Sequence, residues 1–169
     1  MKALVLDGSR KIGSTSENLN KSLTERLKAM NWDVKMVFLP DMSIAPCTGC
    51  FGCWIKTPGV CVIDDEGRDV PRWASDSDLW IFITNVTFGG YSSELKKAVD
   101  RMICLGLPFF KKVKDEIHHP VRYAKCAAFL GIGLIDSCDS DGPEVFKRLI
   151  ERNAILPTIL ENLLDCKWI

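Results

Sequence analysis

The stretch Leu4-Val5-Leu6-Asp7-Gly8-Ser9-Arg10-Lys11-Ile12-Gly13-Ser14-Thr15-Ser16 decides how the rest of the chain is read. An unbroken apolar run stopped by Asp7-Gly8-Ser9 predicts a strand buried on both faces, followed by a sharp turn. Strands of that kind belong to α/β sheets. Beyond the turn come glycines, hydroxyls and positive charge, then Leu19, Leu23, Leu27 and Met30 at helical spacing. Ser14 followed by Glu17 is a capping-box pattern, so a helix is predicted to begin there. The loop has the make-up of a phosphate cradle: glycines let backbone amides converge, the helix N-terminus offers unpaired N–H groups, and hydroxyls complete the shell. The same residues also suit an ordinary capped strand-to-helix turn. They match neither the P-loop, since no Gly-Lys-Ser/Thr closes them, nor a spaced dinucleotide fingerprint.

Working outward, Val34, Met36 and Phe38 alternate with neighbours that include Asp33 and Lys35, and Pro40 ends the run, which predicts a second strand over residues 34–39. Leu79-Trp80-Ile81-Phe82-Ile83, bounded by Asp78 and Asn85, is the strongest buried-strand signal and predicts a central strand. It feeds Thr84-Asn85-Val86-Thr87-Phe88-Gly89-Gly90-Tyr91 and then a helix from Ser92 or Ser93 with Leu95, Ala98, Val99 and Met102 inward. Residues 104–120 are irregular. The adjacent His118 and His119 diverge and have no acidic partner close in sequence, so they read as part of a solvated loop rather than a metal site. Cys126-Ala127-Ala128-Phe129-Leu130-Gly131 reads as a fourth strand, with Gly131-Ile132-Gly133 opening a loop at its end. Asp141-Gly142-Pro143-Glu144 begins a helix with Val145, Leu149 and Ile150 on one face. Residues 155–169 have room for a fifth strand and a terminal helix, interrupted by Pro157.

Strands alternating with amphipathic helices predict a single α/β domain over residues 1–169, a doubly wound five-stranded parallel sheet with helices on both faces. Ligands of such sheets sit beyond the carboxyl ends of the strands, here between the loops 8–16 and 84–91. The first loop has phosphate chemistry; the second can lay amides and flat side chains against a ring. A phosphate-bearing flat cofactor is implied, and flavin mononucleotide (FMN) fits that description.

Cys47, Cys50 and Cys53 are spaced C-x2-C-x2-C, and Cys61 returns after a turn containing Pro58 and Gly59, all within a cysteine-rich loop at residues 46–64. Four of the chain's eight cysteines lie here, and that clustering favours a site for a thiophilic metal or an iron–sulfur cluster. Zinc is permitted by the spacing, although zinc ribbons usually pair two C-x2-C knuckles across a longer gap. Metal-free thiols, structural or redox-active, are the other reading. The loop leaves a strand end and is expected beside the same sheet edge as residues 8–16. Asp64-Asp65-Glu66 reads as the acidic start of a short helix containing Val70, Pro71, Trp73 and Ala74, rather than as a metal site. Cys104, Cys126, Cys138 and Cys166 are expected to fill core space.

Lysine plus arginine and aspartate plus glutamate balance at 22 each, so no global field draws the chain to nucleic acid or an anionic membrane surface. The N-terminal run lacks the form of a signal peptide, and no apolar stretch has the length of a membrane span. With its many cysteines the chain is expected to be cytoplasmic.

Gly8-Ser9-Arg10-Lys11-Ile12-Gly13-Ser14-Thr15, Pro46-Cys47-Thr48-Gly49-Cys50-Phe51-Gly52-Cys53-Trp54, and Phe88-Gly89-Gly90-Tyr91-Ser92-Ser93-Glu94-Leu95-Lys96 with Asp100-Arg101 together resemble the flavodoxin-like NAD(P)H-dependent FMN reductase superfamily. Within it they most resemble the iron–sulfur flavoproteins, over roughly residues 1–107. The resemblance implies a flavodoxin-like fold and FMN held by Ser9, Arg10, Ser14, Thr15 and Ser16 at the phosphate. It implies Asn85, Val86, Thr87, Phe88 and Gly89 along the ring, with Gly131 to Gly133 loosely a third flavin loop. Cys47, Cys50, Cys53 and Cys61 would ligate a 4Fe-4S cluster. The implied function is electron passage from a reduced donor, NAD(P)H among the candidates, to a ferredoxin-like partner or small-molecule acceptor, with no side chain needed as general base. A homodimer or homotetramer is also implied, with Trp54, Thr87, Phe88 and Tyr91 as interface candidates. A cluster-free flavin or quinone reductase and a zinc-stabilised binding module are the alternatives. Two positions depart from the family pattern: the phosphate loop is one residue shorter and lacks the proline after Ser9, and Asn85 and Thr87 stand where proline and tyrosine are usual.

Overall fold

A computed structural model describes residues 1–10, 14–113, 115–125, 127–135 and 142–154, with backbone alone at 14–16. Four strands, β1 (Lys2–Asp7), β2 (Asp33–Phe38), β3 (Leu79–Asn85) and β6 (Ala128–Leu134), form a parallel sheet in the order β2-β1-β3-β6. Between them run α1 (Ser14–Ala29), a one-turn α2 (Gly52–Ile55), α3 (Asp69–Asp76) and α4 (Ser93–Arg101), and α5 (Gly142–Asn153) follows β6. The expected fifth strand and terminal helix, and Cys126, Cys138 and Cys166, lie outside the described residues.

β1 is closed to solvent from Ala3 to Asp7 because β2 and β3 pair with its two edges and helices cover both faces. Side chains alternate between two cores. Leu4, Leu6 and Phe82 join Val70 and Ala74 of α3 and Leu95 and Ala98 of α4 on one face. Ala3, Val5, Ile81 and Ile83 meet Leu19, Leu23 and Leu27 of α1 on the other. Leu4, Leu6, Ile81 and Ile83 are each at most 1% exposed, and burial of such a side chain contributes about 1.5–3 kcal/mol. Met30, expected on the same helical face, lies one residue past α1 and is exposed, because the helix ends at Ala29 and Asn31 turns left-handed.

Three other expectations are corrected. Gly131 and Gly133 do not open a loop but lie inside β6, where the missing side chains admit Ile150 and Phe146 of α5 against the sheet. The buried face of α5 therefore carries Phe146, with Leu149 and Ile150 half-buried, while Val145 stays half exposed over Gly89. Residues 104–120 contain an antiparallel hairpin, β4 (Lys111–Val113) with β5 (Glu116–His118). Residues two apart on a strand share a face, so His118 does have an acidic partner: its Nε2 lies 3.0 Å from Glu116 Oε2. His119 points elsewhere, its ring against Trp54 and Phe110.

Ser92 fixes where α4 begins. Its backbone N–H donates to Thr84 Oγ1 at 2.7 Å, its hydroxyl donates to the Gly8 carbonyl oxygen at 2.6 Å, and the same oxygen accepts the Leu95 N–H at 3.3 Å as the helix cap. The Gly8 backbone presses directly on α4. A Cβ added there would sit 2.6 Å from Leu95 Cβ and 2.7 Å from the Leu95 backbone nitrogen. Gly8→Ala is therefore expected to lower unfolding free energy by about 1–3 kcal/mol, the usual range for overpacking, read as a lower urea midpoint; an unchanged midpoint would show that α4 can yield.

Candidate functional site

The loops leaving β1 and β3 meet at the carboxyl edge of the sheet. Gly8 N–H donates to the Ile83 carbonyl at 2.8 Å, and Arg10 N–H donates to Asn85 Oδ1 at 2.9 Å. The second bond joins two positions singled out in the sequence: residue 10 is not proline and so carries an N–H, and Asn85 supplies its acceptor. Asp7, fully buried, braces the turn from below: Oδ1 accepts the Ser9 N–H at 2.8 Å and Oδ2 accepts the Asn20 amide.

These bonds leave one group unused. Ser9 is 1% exposed, yet its hydroxyl has no hydrogen-bond partner among the described residues. Buried polar atoms are rarely left so, and an orphan beside a helix N-terminus marks a place for an anion. The 16-residue α1 starts at Ser14, so the N–H groups of Ser14, Thr15 and Ser16 belong to the first turn, which has no intrahelical acceptors. Of the residues expected at the phosphate, Arg10 is joined to Asn85, and residues 14–16 form the first turn of α1. The side chains of Ser14, Thr15 and Ser16, and residues 11–13 whole, lie outside the described part.

The β3 loop is tighter than its sequence suggested. Val86 N–H continues the ladder to the Leu134 carbonyl at 2.9 Å. Thr87 and Gly90 exchange backbone bonds of 3.1 and 2.9 Å around Phe88 and Gly89, whose φ values of 50° and 72° are both left-handed. That is the pattern of a type I′ turn. Phe88, at its tip, is 99% exposed.

The four clustered cysteines line one cavity of about 280 Å³ together with Ile63, Arg101 and Ile103. Cys53 and Cys61 are buried, Cys47 is half-buried and Cys50 is exposed. Left-handed backbone at Gly49 (φ 65°) and Phe51 (φ 52°) reverses the chain between thiols, and α2 then returns Cys53 to the wall. Trp54 anchors this turn by donating from Nε1 to the Gly106 carbonyl at 3.0 Å while its ring stacks on Phe51. The Cys50 thiol is shifted down by the Gly52 N–H and the Thr48 hydroxyl, and burial pushes Cys53 up. Cys104, fully buried behind them, is pushed by burial up to about 11 and fills core space as expected. Among the described residues no three His, Cys, Asp or Glu side chains are grouped as ligands of a single metal ion.

Arg101 closes the loop. Its side chain is fully buried, with Nη1 donating to Ala45 O and Asp65 Oδ2 at 3.0 Å each, and Nη2 donating to Ile63 O at 3.1 Å and Asp65 Oδ1 at 2.7 Å. Asp65 also accepts the Ala45 N–H at 2.8 Å and, as the expected cap, the Gly67 N–H at 3.0 Å. Burial alone would raise the Asp65 carboxyl, but Arg101 and these amides hold it below its ordinary value. One helix position thus ties together both ends of the cysteine loop.

That clamp moves the cysteine loop from its expected place. The loop does leave the end of β2, but it packs on the C-terminal end of α4 and the turn Met102–Leu105, whereas the Gly8 junction sits at the N-terminal end of α4. Nine helical residues put the two ends roughly 13 Å apart. Sequence reading assigned no role to Asp7 or Asn20 and did not foresee the Ser92–Gly8 bond or the pairing of Arg101 with Asp65. The available signal was Arg101 itself, three residues after Ala98 and six after Leu95, a charge on an apolar stripe that must find a partner.

Residues 1–134 match the family described as NADPH-dependent FMN reductase. The iron–sulfur flavoprotein of Archaeoglobus fulgidus is 34% identical over 107 residues, 63% of this chain and 47% of that protein. That of Methanosarcina thermophila is 29% identical over 105 residues, 62% and 54% respectively. The chain spans about half the length of the curated relatives it matches. Two solved structures share its fold at low identity. An FMN-dependent NADH-azoreductase from Bacillus anthracis, in complex with FMN, is 16% identical with a TM-score of 0.61, covering 92% of this chain and 82% of that one. An NAD(P)H:quinone oxidoreductase from Methanothermobacter marburgensis is 14% identical with a TM-score of 0.61, covering 93% and 76%.

The Arg101–Asp65 pair yields a pH-dependent expectation. A carboxyl depressed in the folded state contributes stability that is present above its unfolded value, about 3.9, and lost as pH falls through the folded value. Thermal melts from pH 7 to pH 3 should therefore show an acid loss of stability that is smaller in Asp65→Asn. Asp65→Ala, which strands a buried cation, is expected to cost about 3–5 kcal/mol at neutral pH; a cost under about 1 kcal/mol would mean water reaches the guanidinium.

Proposed function

This chain belongs to the NADPH-dependent FMN reductase family, and from that premise we propose that it is an oxidoreductase that binds FMN at the Gly8–Asn85 junction and a 4Fe-4S cluster among Cys47, Cys50, Cys53 and Cys61. The observation that carries the flavin assignment is the buried, partnerless Ser9 hydroxyl beside the first turn of α1. The cluster assignment is supported by four thiols around one cavity and by the names of the curated relatives.

When bound, FMN supplies two-electron chemistry and the cluster one-electron steps, which together connect a donor such as NAD(P)H to a one-electron acceptor. The chain's own residues hold and tune. Ser9 Oγ would donate to the phosphate, the amides of residues 14–16 would add to that shell, and the Arg10 side chain would supply positive charge. The Asn85 carbonyl oxygen accepts the Arg10 N–H, so it sets the distance between phosphate loop and ring loop. Phe88 offers a flat apolar face at the edge of the site and, by its exposure, to a second subunit of a homodimer or homotetramer. A single zinc ion would draw four sulfurs to about 2.3 Å from one point; thiols lining a cavity suit a polynuclear centre better.

The test is an absorption spectrum with iron and sulfide analysis on protein purified without oxygen. Flavin bands with about four irons per chain support the full reading, flavin without iron reduces it to a cluster-free reductase, and zinc without flavin overturns it. Cys50→Ser is expected to lose the iron and keep FMN. Asn85→Ala, losing one neutral hydrogen bond of about 0.5–1.5 kcal/mol, is expected to weaken FMN about three- to tenfold in a fluorescence titration; unchanged affinity would separate the latch from the flavin site.

A further inference from the structure

Arg101 has five N–H groups, and the clamp uses four: two on Asp65, one on Ala45 and one on Ile63. The fifth, on Nε, is buried and has no hydrogen-bond partner among the described residues. Arg101 lines the cavity that the four cysteines share, and Cys61 is the one of the four whose charge acts on the guanidinium. Arg68, a second arginine that reaches the loop, is committed elsewhere: it donates from Nε to the Cys61 carbonyl at 2.9 Å and pairs with Asp64.

We propose that Arg101 is a positioning residue of the cysteine site, its Nε–H donating to the sulfur of Cys61 or to the adjoining face of the bound cluster. The inference rests on the cluster reading above and assigns a job that the clamp alone does not need. A guanidinium aimed by four bonds is held rigidly, so its last N–H points one way. A buried cation and an N–H···S bond both favour the more negative, reduced state of a thiolate-bound centre, and so raise its potential.

Arg101→Gln combined with Asp65→Asn keeps the buried charge balanced and is the variant to study, beside Asp65→Asn alone. Measured on its iron-loaded fraction, the double variant is expected to shift the reduction equilibrium about tenfold toward the oxidised form, about 59 mV for one electron. Asp65→Asn, which loosens the clamp but removes only a negative charge, should shift it the other way. A purely structural Arg101 would move both variants alike, or neither, and either result overturns the proposal. A second readout needs no variant: pulsed EPR of the reduced parent labelled with ¹⁵N-arginine should show a coupled arginine nitrogen, and its absence overturns the proposal. An iron-free parent removes the cluster reading and this inference together, whereas an iron-loaded parent with unshifted variants removes this one alone.

Discussion

A guanidinium taken out of water must be paired with an opposite charge, and that requirement at Arg101 organises the cysteine loop and its seat on α4. Its carboxylate partner, Asp65, lies 36 residues away along the chain, and the two carbonyls it also binds, Ala45 and Ile63, bracket the cysteine loop. Removing either charge leaves the other buried and unpaired, the costliest kind of defect in a small domain. The cysteine loop has little regular structure, only the single turn of α2, so its shape depends on this clamp, on the Trp54 indole and on the left-handed residues Gly49, Phe51 and Gly59.

The other end of the same helix carries a polar junction of a different kind. Ser92 is bonded to Thr84 of β3, Gly8 of the loop after β1 and Leu95 of α4. Neutral hydrogen bonds are individually modest, but here they are buried and converge where glycine allows backbone and helix to touch. The loops after β1 and β3 are consequently held against each other, with Asn85 bridging to Arg10. α4 is thus the common support of both candidate sites, one at each end, and its length sets their separation within a chain. A cofactor pair arranged on such a support is positioned by rigid structure rather than by loops.

The latch between the two loops follows from the residues at two positions. Because residue 10 is not proline it carries a backbone N–H, and Asn85 gives that N–H an acceptor.

Composition and periodicity determined the parallel α/β architecture, the order of strands and helices, the two loops at the sheet edge and the soft-ligand character of residues 47–61, because these are local patterns: apolar runs, helical spacing, turn residues and cysteine intervals. Tertiary structure alone decided which end of α4 receives the cysteine loop, that Arg101 and Asp65 pair, that Asn85 serves Arg10, that Glu116 meets His118, and that Gly131 and Gly133 lie within a strand under Ile150 and Phe146. Those outcomes depend on partners brought from other elements. A buried charge or a missing side chain declares in sequence that it needs a partner, but only the folded chain determines which one it obtains.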